Sequence, residues 1–441
     1  MKKMLEPTHR VDKTLFGLAL LLLAGGIAIR AGIKTLQEAQ ASTLVFTQWW
    51  QDELKNDTLT SLIGEFEKSR PDITITVERL SYQEMEDQLL NRALDATSPS
   101  DILALDPRWL YELIRNDRLA PLDAYIEKTE NMENMLFIPS LPPNNPEAPT
   151  EIWAIPVVSY MIPLFYNVAV LQAAGFDRPP KNRADFLRYA QAITDRERGR
   201  FALALALNPE YPDGLYVDVY SWIWAAGALM LPGGKPDVTS PLIRETLDFL
   251  TTLHTEGLLA PNSFSKTREE KLEDFIQGKI GMMLASVQDI DTLRQRMGEA
   301  GFGITTVPGL DNTKKPVFGL TSWYIGISRQ SEHQEQAWAF LSFLAERSSI
   351  LAAASYAVPG SWMGAQNYLK RDPLYAKAYD MYEGGDALQE FTGIPRVYAL
   401  ESIMREELYA MLEQGRDAAA TAQGIQTRWE EALGGGAITA R

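Results

Sequence analysis

The chain has 441 residues, 46 % hydrophobic and 23 % charged, an ordinary globular composition. Its formal charge of -16 disfavours nucleic acid and anionic lipid as partners. The absence of cysteine excludes a thiol nucleophile, a thiolate metal site and a lipidated cysteine, and the three separate histidines (His9, His254, His333) argue against a histidine metal site or a Ser-His-Asp triad.

Residues 1–42 read as a segment outside the fold. Lys2, Lys3, Arg10 and Lys13 precede an uncharged apolar run of 16 residues, 14–29. That is slightly short for a spanning helix and slightly long for a signal-peptide core. The basic flank places the N-terminus in the cytoplasm and the remainder outside. Ala39-Gln40-Ala41 resembles a cleavage site, although it follows the apolar core by more than signal peptidase usually spans. Three readings stay open: an uncleaved membrane anchor, which is preferred, a cleaved signal peptide, and a buried core helix. Beyond residue 42, 36 basic residues face 55 acidic ones. The remaining length is too great for one hydrophobic core, so two lobes are expected.

Residues 43–47 (TLVFT) read as a strand, 58–68 as an amphipathic helix, 73–80 (ITITVERL) as an alternating strand and 82–96 as a helix. Residues 100–105 (SDILAL) form a buried strand, ended by Asp106-Pro107 and followed by a helix over 109–116. This alternation predicts an open sheet covered by helices, with ligand beyond the carboxyl ends of its strands. Residues 142–149 (PPNNPEAP) are a loop. In 152–175 an apolar run is broken by Pro156 and Pro163, so two short strands with an extended crossing fit better than one central strand. A helix over 182–196, a strand over 201–207 and an apolar helix over 220–228 follow. Next come an amphipathic helix over 241–256, strands over 279–285 and 301–307, and a second crossing over 318–327. A helix over 334–345 carries Trp338, Phe340, Leu341 and Leu344 on its inner face, and 357–364 is irregular. Helices over 373–383, 396–414 and 418–433 complete the chain. No phosphate-binding glycine loop and no nucleophile elbow is found.

The stretch with Trp153, Ile155-Pro156, Ser159-Tyr160 and Tyr166-Asn167 resembles the first hinge crossing of the solute-binding proteins of ABC importers. The resemblance is to the carbohydrate-binding family that includes the maltose-binding protein. Ser100-Asp101-Ile102, residues 275–284 (FIQGKIGMML), Val307-Pro308-Gly309, residues 319–327 and Ala337-Trp338 with Phe340-Leu341 match further family motifs loosely, in the family's order. Ser286-Val287-Gln288-Asp289 stands where the maltose-binding protein has a Trp. Arg396, Tyr398 and Glu401 stand near another sugar-stacking Trp of that relative, so maltose specificity does not carry over.

The resemblance implies an α/β two-lobed periplasmic-binding-protein fold of type II with three hinge crossings. Lobe one comprises 43–158 and 319–352, lobe two 159–318 and 353–435, with 436–441 as a tail. The implied function is to bind a sugar or oligosaccharide by domain closure and deliver it to an ABC permease, on the extracytoplasmic side of the envelope. The N-terminal helix would tether the protein to the membrane. No cofactor, metal or catalytic residue is expected. A secreted carbohydrate-active enzyme and a ligand-presenting sensor are the alternatives.

Sugar recognition needs flat aromatic faces and a few carboxylates or amides. Trp49 and Trp50 follow the first strand, and Asp106 and Trp109 the third; Asp106 serves equally well as a helix cap. Tyr160 lies in the first crossing, where the maltose-binding protein has a ligand-binding carboxylate; the alternative is a packed hinge aromatic. Trp222 and Trp224 point to different faces of one helix, and Trp222 is taken to face the cleft. Trp323 and Trp362 lie in the second crossing and the third connection. Trp338 and Trp429 are expected in the core.

Overall fold

The computed structural model describes residues 42–50, 54, 57–91, 100–130, 151–211, 213–311, 315–355, 357–359 and 372–434. The expected N-terminal helix, the loop 142–149 and Trp362 lie outside the described residues. Among the described residues no helix is long and apolar enough to cross a membrane.

The strands are β1 (Ser42–Gln48), β2 (Ile73–Arg79), β3 (Ile102–Leu105), β4 (Ile155–Met161), β5 (Leu164–Asn167), β6 (Met282–Leu284), β7 (Phe302–Thr305), β8 (Val317–Ile327), β9 (Val358–Pro359) and β10 (Asp386–Leu388). One sheet runs β2-β1-β3-β8-β4-β9, with β10 pairing the start of β8; a second runs β6-β5-β7. β1 lies parallel to β2, with Ser42 opposite Ile73, and parallel to β3, with Phe46 opposite Ile102. β3 and β4 flank β8 in antiparallel pairs. β3 and β4 are buried at every position, as strands covered on both faces must be.

Pro156 leaves its mark on this ladder. It has no amide hydrogen to donate, and the β4–β8 register shifts between Pro156 and Val158. The chain therefore bends where it leaves the first lobe. Tyr160 still packs in the first lobe's core, whereas Met161 and Ile162 belong to cores of the second. β8 makes the return passage: Phe318 and Leu320 pack in the second lobe, Trp323 and Tyr324 in the first.

The helix Gln334–Glu346 buries Trp338, Phe340, Leu341 and Leu344 against the first sheet, and the Trp338 indole donates to Thr129 Oγ1 at 2.9 Å. The C-terminal helices Val397–Leu412 and Ala418–Gly434 pack on each other in the second lobe, where the fully buried Trp429 donates to the Leu400 carbonyl at 2.9 Å. β9 lies in the stretch read as irregular, β10 matches no expected element, and three further elements differ from expectation. Residues 201–207 hold only isolated bridges, Phe201 to Ile280 and Leu203 to Leu259. The helix starting at Tyr82 is α-helical only to Glu86 and continues as a π-turn, Asp87–Asn91. The helix containing Trp222 spans Ser221–Ala225 after a π-helical turn, Tyr216–Tyr220.

Candidate functional site

A cavity of about 670 Å³ opens between the lobes. The first lobe supplies Trp49, Tyr82, Asp106 and Arg108, the ends of β1 and β3 and their neighbours. The crossings supply Tyr160, Thr321, Ser322 and Trp323. The second lobe supplies Tyr211, Asp213, Arg268, Ser286, Gln288 and Asp289. Strand ends place the first-lobe set, because the chain must turn after Gln48 and again after Leu105. In the second lobe, Thr267 forms a capping box with Glu270, which fixes the start of the helix Arg268–Ile276 and so positions Arg268.

The aromatic wall is layered. Trp323 stacks on Trp50, with ring centroids 5.2 Å apart and planes 8° apart, and meets the edge of Tyr160 at 5.5 Å. Trp49 contacts Trp50, Tyr82 and Trp109 edge-on or tilted, at 6.0, 5.5 and 5.4 Å. Trp49, Tyr160 and Trp323 reach the cavity, and Trp50 backs Trp49 and Trp323.

Several of the charges are paired. Asp106 accepts from its own turn at Arg108 N, 2.8 Å, and from the Arg108 side chain at Nε, 2.9 Å, and Nη2, 2.7 Å. It is thus a cap and a cavity residue at once. Arg108 also lies 3.2 Å from Asp213 Oδ1 and 4.0 Å from Glu401 Oε1. Burial works against the Arg108 charge, but Asp106, Tyr82 and Asp213 outweigh it and hold the guanidinium above its ordinary range. Burial raises Asp213, opposed by Arg108. Glu401 is pushed up to about 7 by burial, with Arg108 opposing and Asp106 and Asp213 adding to it. Across the cavity Arg268 pairs with Asp289, whose carboxyl burial raises against the pull of Arg268 and Lys271. A hydroxyl and an amide add to the lining: Ser322, which shares a hydrogen bond of 2.8 Å with Ser159 outside the cavity, and Gln288 of the second lobe. Among the described residues no cluster of metal-ligating side chains is present.

The site residues read from sequence fall in three places. Trp49, Asp106, Tyr160 and Trp323 line the cavity. Trp50 and Trp109 are fully buried beside it, and Trp109 uses its indole N–H on Tyr398 Oη at 2.7 Å. Trp222 requires correction: it is fully buried in the second lobe, against Phe186 at 4.9 Å and Phe249 at 5.2 Å. Its helix packs on both sides, since Trp224 is fully buried as well and donates to Glu390 Oε2 at 2.6 Å. A two-residue offset separates helix faces, but in a helix this deep neither face meets the cleft.

Sequence reasoning missed Arg108, Asp213, Arg268 and the tyrosines Tyr82 and Tyr211. Arg108 had a signal, since it sits two residues past Asp106 at a strand exit. Ser286, Gln288 and Asp289 come from the segment noted only as a departure from the maltose-binding protein.

The family model of the bacterial extracellular solute-binding proteins matches residues 51–349. A binding protein of Brucella abortus (strain 2308) is 23 % identical over 283 residues, 64 % of this chain and 67 % of that protein. An ABC transporter-binding protein of Deinococcus radiodurans is 24 % identical over 231 residues, 50 % of this chain and 54 % of that protein. In three dimensions the chain is similar to the sugar-binding protein MalE of Xanthomonas citri, with a TM-score of 0.76 and 19 % identity over 89 % of this chain and 98 % of that one. It is also similar to the GacH receptor of Streptomyces glaucescens, whose structures include a complex with acarbose; the TM-score is 0.70 and the identity 17 %, over 89 % of this chain and 98 % of that one. With a two-lobed fold, a cavity at the lobe junction and a family match over more than half its length, the chain belongs to the bacterial extracellular solute-binding proteins.

Proposed function

We propose that this protein is the binding component of an ABC importer and takes a sugar or oligosaccharide into the inter-lobe cavity. The observation that carries this reading is the lining itself. Trp49, Tyr160 and Trp323 offer apolar surface to sugar C–H faces, while Asp106, Asp213, Asp289, Gln288 and Ser322 offer partners for hydroxyls. Such residues come from both lobes, so a ligand touching both sets gains contacts that exist only when the lobes are together. That differential affinity is what shifts an open–closed equilibrium. Lobe one is then about 43–158 with 319–352, and lobe two about 159–318 with 353–435, joined by three crossings, with Tyr160 reaching back into the first core and Leu320 into the second. The closed form would dock on the permease. A tether in residues 1–42 would raise its effective concentration at the membrane. The names of the structural neighbours, a sugar-binding protein and a receptor bound to acarbose, support the choice of ligand class.

Intrinsic fluorescence tests it. Full-length protein titrated with a panel of neutral mono- and oligosaccharides should give a saturable change for at least one member. Trp323→Ala should weaken that binding by about 1–3 kcal/mol through lost apolar contact. Saturable binding of amino acids or peptides with no response to any sugar would reject the reading.

A further inference from the structure

Arg108 of the first lobe lies close to carboxylates of both lobes. Arg108 is anchored in its own lobe by the two side-chain bonds to Asp106 and by Nη2 to Tyr82 Oη at 3.0 Å. The same Nη2 lies 3.2 Å from Asp213 Oδ1 of the second lobe, Nη1 lies 4.0 Å from Glu401 Oε1, and the Tyr216 ring centroid is 5.4 Å from the guanidinium carbon. Beside it the Trp109 indole donates to Tyr398 Oη at 2.7 Å. Tyr398 packs against the first lobe's core, although its helix, Val397–Leu412, buries Leu400 and Met404 in the second. Trp109, Tyr398 and Glu401 do not line the cavity. The lobes are therefore joined by contacts that no ligand supplies.

We propose that Arg108 is an inter-lobe latch, a positioning residue that holds the two lobes together in the empty protein by seating its guanidinium between Asp106 of the first lobe and Asp213 and Glu401 of the second. The electrostatics explain why the cation is needed. Contact of the lobes brings these three carboxylates together around Arg108, Asp106 and Glu401 buried and Asp213 half-buried, where Arg268 and Arg405 act from further off. With Arg108 removed, the like charges face each other and the closed form is disfavoured. Because Arg108, Asp106 and Asp213 also line the cavity, the latch is read in the empty protein, where the fraction already in the competent state scales the apparent affinity.

The test needs no ligand. The full chain has no cysteine, so Lys68→Cys in the first lobe and Asp248→Cys in the second, both exposed, create a unique pair for spin labels. Inter-label distances are measured by pulsed electron resonance on protein shown to be empty by native mass spectrometry. The empty parent should show a major population at the shorter distance. Arg108→Gln and Asp213→Asn should each lower the closed-to-open ratio by about tenfold or more. The double variant should open no further than Arg108→Gln alone, since both remove one interaction. Should Arg108→Gln fail to fold, Asp213→Asn and Tyr398→Phe carry the test from the second lobe. An empty parent that is wholly open, or variants with the parent's distance distribution, would overturn the proposal.

Discussion

Lys271→Met should be among the most damaging single substitutions in the second lobe. Lys271 and Asp218 are both essentially inaccessible to solvent, and Lys271 Nζ donates to both Asp218 oxygens, at 2.8 and 2.7 Å, and to the Leu284 carbonyl at 2.9 Å. Asp218 otherwise accepts from the Ala206 amide at 2.7 Å. Removing the ammonium leaves a carboxylate in a dry interior with one backbone donor, and breaking a buried pair in this way costs about 3–5 kcal/mol. Removing both partners as Asp218→Leu/Lys271→Met eliminates the charge and leaves only the Ala206 amide and the Leu284 carbonyl to be rehydrated or re-paired, at about 1–3 kcal/mol each. The double variant should therefore cost much less than the sum of the singles. Urea denaturation followed by far-ultraviolet circular dichroism measures all four corners of the cycle. A loss below about 1 kcal/mol for Lys271→Met, or strict additivity, would refute the reasoning. The pair also bears on the site, because Val217 and Arg268, its near neighbours in sequence, line the cavity.

Trp222→Ala should cost about 3–5 kcal/mol of stability as a core truncation, while Trp49→Ala should act mainly on binding; equal thermal shifts for the two would contradict their placement. Gly319→Ala should destabilise the β8 crossing, because a methyl there would strike the Trp224 ring; an unchanged urea midpoint would show that the ring can yield. Glu390 is pushed up to about 7 by burial, with hydrogen bonds from Trp224 and the Leu231 amide opposing. The folded state therefore binds its proton more tightly than the unfolded chain. The contribution is most favourable below the ordinary glutamate range and declines as pH rises through about 7. Thermal melts from pH 5 to 8 should fall with pH more steeply in the parent than in Glu390→Gln; parallel profiles would reject the assignment.

The fold was legible because its signals are local. Alternation in residues 73–80, the apolar SDILAL strand and the prolines at 156 and 163 each specify an element, while the two lobes followed from the chain's length and from the family resemblance. Elements whose hydrogen bonds are long-range were harder: residues 201–207 look like a strand yet make only isolated bridges. Of the site, aromatic residues at strand ends could be read, since position after a strand fixes position in the cleft. Trp222 could not, because periodicity separates the faces of a helix without saying what covers each. Arg108, Asp213 and Glu401 meet only through tertiary packing, being separated by more than a hundred residues at each step, and no spacing announces them. The Ser286–Asp289 segment was visible only as a missing tryptophan, although it contributes an amide, a hydroxyl and a carboxylate to the wall.

The most direct test of carbohydrate binding by lobe closure is mass spectrometry of full-length protein purified gently from cells grown on mixed carbohydrates. Native spectra should show a one-to-one complex, and denaturation should release an intact sugar or oligosaccharide, unchanged after prolonged incubation with the protein. A released ligand that is not a carbohydrate, or a sugar cleaved during incubation, would contradict the account.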